Sequence, residues 1–244
     1  CELLYTWFTA PGARVLDPFA GGSVRGIVAS LLGRRYIGVD LRREQIEANE
    51  QQAEAICGGC EYQPRWVCGD AKNAEALAFG HYDFIFSCPP YGDLERYSDD
   101  PRDLSTMGAA AFDASYRTVV ATACKMLRPD RFAAFVVGDY RGNDGYYRNF
   151  VGQTVDAFAA AGLRLYNDAI LVTAVGSLPV RTTRMFESGR KLGKTHQNVL
   201  IFCNGDWRKA ALACKAAADT ADDAPPPEQE DDEEPDFDSW SGLR

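Results

Sequence analysis

The 244-residue chain lacks the marks of several large protein classes. It has no apolar run long enough to span a membrane and no signal peptide, so neither a membrane helix nor secretion is expected. It has no internal repeat. Its one strong glycine turn is not followed by G-K-[ST], so a Walker phosphate loop is excluded, and "AGGSVRG" does not supply the G-x-G-x-x-G of a nicotinamide site. Half a zinc motif is present in Cys57-Gly-Gly-Cys60, but Cys68 and His81 do not make a matching second half, and no metal is expected. The eight cysteines are scattered, several inside apolar runs (Cys68, Cys88, Cys203), which fits a reduced, cytoplasmic protein.

Basic excess is missing too. The net charge is −9, from 35 acidic and 26 basic residues. Eleven of the acids lie between Asp219 and Asp238, where there is no basic residue. Without the segment after Ala218, 24 acidic residues face 25 basic ones, so the remainder is nearly neutral. A polyanion partner would therefore have to be met by a local patch. The segment 216–244, rich in acid and proline, is expected to be a disordered tail. Residues 1–215 are expected to form one domain. The chain begins at Cys1 with residues that already read as structural, and an upstream segment is expected to precede them.

What is present is an alternation of short apolar runs and helical patterns. Strands are expected over 13–17, 34–41, 65–70, 82–88, 131–140, 169–175 and 198–204. Helices are expected over 23–33, with Ser23 as N-cap and Gly33 as stop, and over 43–56, 110–127 and 146–163. Most of the strands are continuously apolar, the pattern of a parallel sheet covered on both faces. The last two are joined by a polar loop, 176–197, and should pair antiparallel at one edge. The expected fold is α/β, a doubly wound, seven-stranded, mostly parallel sheet with an antiparallel edge strand.

In such sheets ligands bind beyond the carboxyl ends of the strands. The first strand ends in "DPFAGGS". Gly21 and Gly22 allow close backbone approach, and the helix starting at Ser23 points free N–H groups at an anionic group. Asp40 ends the second strand at a distance that suits a ribose diol. Asp70 ends the third and is placed to reach an adenine edge. A plain glycine turn with strand-end acids explains any one of these, but not all three at successive strand ends.

"VLDPFAGGS", "YIGVDL", "CGD" and "SCPPY" together resemble the consecutive motifs of S-adenosylmethionine-dependent DNA amino-methyltransferases, over about residues 1–205. The chain looks most similar to the phage and prophage DNA modification methylases, where a restriction-modification role is plausible. The resemblance implies a Rossmann-like methyltransferase fold and S-adenosyl-L-methionine as cofactor. It places Asp17, Phe19, Ala20, Gly21, Gly22 and Ser23 around the methionine part, Asp40 and Leu41 at the ribose, and Asp70 and Ala71 at the adenine. "CELLYTWF" would then be the end of the family's N-terminal cofactor helix.

Methyl transfer to an exocyclic amine needs acceptors that localise the amine lone pair, together with accurate positioning. In "SCPPY", Phe84-Ile-Phe-Ser87 leads into Cys88, Pro89, Pro90 and Tyr91. The Pro89 carbonyl can accept from one N–H, the side chain at 88 can supply a second acceptor, and Tyr91 can stack on a base turned out of the duplex. The family usually carries Asp, Asn or Ser where this chain has Cys88. Cysteine is nearest to serine, which points to cytosine N4 ahead of adenine N6. The order is not the Pro-Cys of the C5 enzymes, and Cys88 also reads as a plain buried strand-end thiol.

The segment 176–197 carries Arg181, Arg184, Arg190, Lys191 and Lys194 against Glu187 alone, a candidate surface for the phosphates of double-stranded DNA. Gln197 and Asn198 read as caps of the last strand. The segment after Tyr91 is acidic and would line the base pocket or pair with the basic loop. No insertion is large enough for a separate recognition domain, so specificity is expected to be short, or lent by an N-terminal segment or a homodimer partner. A same-fold methyltransferase acting on RNA or protein, and a non-catalytic DNA-binding module, remain the alternatives.

Overall fold

The computed structural model describes residues 1–92, 94–174, 176 and 178–215, with the backbone alone at 178–181. The expected tail at 216–244, Asp93, Val175 and the Arg181 side chain lie outside the described residues.

Seven strands form one sheet: β1 (Arg14–Asp17), β2 (Arg35–Asp40), β3 (Arg65–Cys68), β4 (Tyr82–Ser87), β5 (Leu127–Val137), β6 (Arg164–Val172) and β7 (His196–Asn204). Their order is β3-β2-β1-β4-β5-β7-β6. The first five run parallel, while β7 runs antiparallel to both β5 and β6. The helices are α1 (Glu2–Phe8), α2 (Val24–Leu31), α3 (Arg43–Cys57), α4 (Ala74–Leu77), α5 (Ala109–Met126), α6 (Phe150–Ala160), α7 (Leu178–Gly189) and α8 (Trp207–Ala213). Among the described residues no helix is long and apolar enough to cross a membrane.

The continuous apolar strands are explained by a core on each side of the sheet. On β4, Ile85 faces one side with Leu16, Phe135, Tyr116, Phe150 and Phe158. Its neighbours Phe84 and Phe86 face the other, with Val15, Tyr5, Ile27, Ile46 and Phe132. Phe158 stacks on Phe202 with ring centroids 3.9 Å apart, joining α6 to β7. Burying such a ring removes about 150–250 Å² from water, so pairs of this kind dominate the packing energy.

The departures from expectation have local causes. The segment 176–197 is not only loop: it holds α7, whose first turn contains Pro179, where a missing N–H costs nothing. The helix α6 starts at Phe150 rather than 146, because Arg141 and Tyr147 form a bridge and Asn149 takes the left-handed conformation at φ 54°. The strand β6 begins at Arg164, five residues early, on a mixed polar and apolar stretch that pairs with β7 but stays exposed. The helix α8 was unforeseen, although Asp206 caps it through the N–H groups of Arg208 and Lys209. Ser23 precedes α2 without capping it; its hydroxyl donates to Gln52 instead.

Candidate active site

Strand order reverses between β1 and β4, since β2 and β3 lie on one side of β1 and β4 and β5 on the other. A crevice beyond the carboxyl ends is expected there. It is present, with a volume of about 410 Å³. Each strand end supplies its wall: Phe19, Gly21 and Gly22 after β1, Asp40 and Leu41 after β2, Asp70 and Ala71 after β3, and Cys88, Pro89, Pro90 and Tyr91 after β4. Asp17, Ala20 and Ser23, also read from the sequence as cofactor residues, do not line it.

Asp17 lies behind the wall and is fully buried. One carboxylate oxygen accepts from Arg25 Nε at 2.5 Å and the Tyr36 hydroxyl at 2.8 Å. The other accepts from the Ser87 hydroxyl at 2.5 Å and the Phe19 N–H at 3.2 Å. Arg25 also donates to the carbonyls of Phe19 and Ala20 at 2.8 and 2.7 Å. Burial alone would lower the Arg25 guanidinium, but Asp17 outweighs it and holds the group above its ordinary value. Four donors on one carboxylate tie the glycine turn to β2, β4 and α2, a charge-assisted network that holds only while complete.

The turn is pinned from the β2 side as well. Gly21 has φ +51°, a left-handed conformation natural to glycine. Its N–H donates to Asp40 at 2.8 Å, and its carbonyl accepts from Asn49 at 2.7 Å. The other Asp40 oxygen accepts the Arg42 N–H at 2.9 Å. Burial pushes the Asp40 carboxyl up, partly offset by these two backbone donors. Each oxygen keeps a lone pair for a further donor, as recognition of a diol requires. Asp70 caps a short turn through Lys72 N–H at 2.9 Å and pairs with the Lys72 ammonium at 3.3 Å. Close packing extends to Gly38, where a Cβ would lie 2.7 Å from that of Ala20 and 2.6 Å from the Tyr36 hydroxyl. Gly38→Ala should cost roughly 1–3 kcal/mol of stability by overpacking, read as a lower denaturation midpoint; an unchanged midpoint would show that the turn relaxes freely.

On the β4 side, Ser87 points inward to Asp17 while Cys88 faces the cleft, as the alternation of a strand requires. Burial pushes the Cys88 thiol up, with Arg25 pulling the other way. A thiol held protonated is neither a strong acceptor nor a nucleophile. Among the described residues no donor reaches the Pro89 carbonyl. The Tyr91 ring meets the edges of Tyr140 and Phe150, with centroids 6.3 and 5.9 Å away. Its hydroxyl lies 4.0 Å from Cys88 Sγ and accepts from Gln197 Nε2 at 2.5 Å. Gln197 is thus not a strand cap, and Asn198 donates to Asp168 across the β6–β7 pair.

The segment after Tyr91 contributes Glu95, Tyr97, Arg102 and Asp103 to the cleft. Among its described acids, Asp99 pairs with Arg96 and Asp100 with Arg102, within the segment rather than with the basic stretch. Arg184, Arg190, Lys191 and Lys194 lie outside the cleft, on α7 and the chain that leads into β7. Arg190 sits over the Phe186 ring, 4.9 Å from its centroid, at φ 52°. Sequence reasoning missed Arg25, Tyr36, Asn49, Ser87 and Gln197. Arg25 stands in plain view in "GGSVRG", but only the folded turn shows that it reaches back to Asp17.

The model of the family described as DNA methylase matches residues 3–51, which hold the glycine turn and Asp40. The Type II methyltransferase M2.DpnII of Streptococcus pneumoniae is 43% identical over 47 residues, 19% of this chain and 18% of that protein. The chain thus spans under a fifth of the length of that relative. Among solved structures, magnesium protoporphyrin IX methyltransferase (ChlM) from Synechocystis PCC 6803, with bound SAM, aligns over 80% of this chain and 71% of that one, at TM-score 0.52 and 12% identity. TrmN from Thermus thermophilus aligns over 83% and 47%, at TM-score 0.54 and 19% identity. The chain therefore has the Rossmann-like methyltransferase fold, and the likeness to DNA methylases is confined to about its first fifty residues.

Proposed function

We propose that this chain transfers a methyl group from S-adenosylmethionine to the exocyclic amine of a base turned out of double-stranded DNA. The observation that carries this reading is one cleft in which the pinned glycine turn, Asp40 and Asp70 face the Cys88-Pro-Pro-Tyr91 turn across the switch point. The cleft has the volume of a small-molecule site. Gly21 and Gly22 have nothing within 4 Å of where a Cβ would be, leaving room for a ligand against the backbone. Asp40 would hold the ribose diol, Asp70 and Ala71 the adenine, and the N-terminus of α2 the carboxylate. When bound, the cofactor supplies an electrophilic methyl group.

The chain's own part is binding and orientation. The Pro89 carbonyl accepts one amine N–H and directs the nitrogen lone pair. Tyr91 stacks on the base face. Cys88 offers a second, weak contact in the place of a serine hydroxyl, which favours cytosine N4 over adenine N6. Arg184, Arg190, Lys191 and Lys194, with Arg181, bind phosphates and make affinity fall with salt.

Incubation with tritiated S-adenosylmethionine and duplex DNA, RNA or protein tests this reading. Label is expected in DNA, and mass spectrometry of the digest should return N4-methylcytosine. Label only in RNA or protein, or in nothing, would sink it. For Cys88, a weak hydrogen bond predicts that Cys88→Ala lowers kcat about threefold and that Cys88→Ser restores it. Full activity in Cys88→Ala would leave the thiol as packing alone.

A further inference from the structure

Gln197 is 106 residues from Tyr91 in sequence, yet its side chain holds the Tyr91 hydroxyl at 2.5 Å. It stands on β7, one residue inside the start of the strand. Gly138, just past the end of β5, lies beside it, and a Cβ there would come to ordinary contact, 3.6 Å from Gln197 Cγ. On the other side the turn is closed by Gly92 at φ +55°, where a Cβ would overlap the Tyr140 hydroxyl at 2.1 Å. The aromatic edges of Tyr140 and Phe150 set where the ring sits. They leave the ring's far end free to swing, because edge contacts tolerate a range of angles. A short hydrogen bond to the hydroxyl pins that end.

The location of the donor adds a second consequence. Lys191 and Lys194 lie six and three residues before Gln197, on the chain that runs into β7. That chain is anchored to the end of β6 by the Thr173 N–H, which donates to the Thr195 carbonyl at 2.8 Å. A phosphate held by these lysines would therefore bear on the strand start that carries Gln197.

We propose that Gln197 is a positioning residue for the target base. It pins the far end of the Tyr91 ring and ties that ring to the strand behind the basic segment. The inference rests on Tyr91 being the stacking platform of the proposed methyl transfer. Unmethylated duplex DNA and tritiated S-adenosylmethionine are the probes, used on the full chain in a double-mutant cycle of Gln197→Leu and Tyr91→Phe. Gln197→Leu should lower kcat/KM for DNA by about tenfold, the scale of one buried hydrogen bond, and leave KM for S-adenosylmethionine unchanged. Tyr91→Phe keeps the ring but loses the hydroxyl, and should do the same. The double variant should be no worse than Tyr91→Phe alone, because the two side chains act as one unit. Gln197→Met, of similar length and without a donor, replaces the leucine variant if that one melts early. Additive effects, or no effect of Gln197 variants on DNA kinetics, would overturn the inference while leaving methyl transfer intact. An unaltered protein that labels no DNA would instead remove the reading beneath it, and the inference would fall with it.

Discussion

Asp17→Ala should lower the melting temperature by roughly 6–20 °C, from a loss of about 3–5 kcal/mol. The size follows from what is left behind. The Arg25 guanidinium, 16% exposed, keeps its charge but loses its carboxylate, and the Tyr36 and Ser87 hydroxyls lose an acceptor. Water cannot easily replace it, since Asp17 is fully buried. A charge stranded in this way costs more than the pair contributed while intact. Replacing Arg25 as well, in Asp17→Ala/Arg25→Met, should recover part of the loss, which separates an orphaned charge from simple loss of packing. Thermal denaturation followed by circular dichroism reads both. A melting temperature within 2 °C of the parent would mean that the network is not what holds the turn.

The second large effect is expected at Asp40. Asp40→Ala removes the acceptor of the Gly21 and Arg42 N–H groups and the proposed anchor of the ribose diol. Two hydrogen bonds to a charged acceptor correspond to roughly 10²–10⁴-fold in affinity. Calorimetric titration with S-adenosylmethionine should show that loss, and an affinity within threefold of the parent would move the diol elsewhere. The pH dependence has a definite sign. Burial raises the Asp40 carboxyl, and the ionised form is the one that accepts from a diol. Cofactor affinity should therefore fall on acidification at a higher pH than an ordinary aspartate, near 3.9, would give. The ligand-free chain behaves in the opposite sense. A carboxyl raised on folding contributes stability below its unfolded pKa, and that contribution is lost as pH rises through the folded value.

The sheet and the outline of the cleft were legible because both depend on local pattern. Runs such as Phe84-Ile85-Phe86 state two-sided burial by composition, and the glycine turn, Asp40 and Asp70 mark successive strand ends. The supporting network was not legible. Asp17 sits in the motif, yet its partners Tyr36 and Ser87 come from other strands, and only register brings them together. Gln197 read as a strand cap because its partner lies 106 residues away. The helix α7 was hidden by its charge, which reads as loop when no tertiary face is known. Asp206 before "WRKAALA" is a capping signal carried by the sequence itself.

The position of β7 has a consequence for how the chain comes together. It follows both β5 and β6 in the chain, but it lies between them in the sheet. Until residue 204 has emerged, β5 has an open edge and β6 has no neighbour to pair with. During that interval Phe158 waits for Phe202, and two unpaired strand edges are available to other chains. The half of the sheet from β1 to β3 needs nothing from this region and can form first. Truncations that end before Asn204 should therefore yield aggregates, whereas those that end after Lys215 should stay monodisperse.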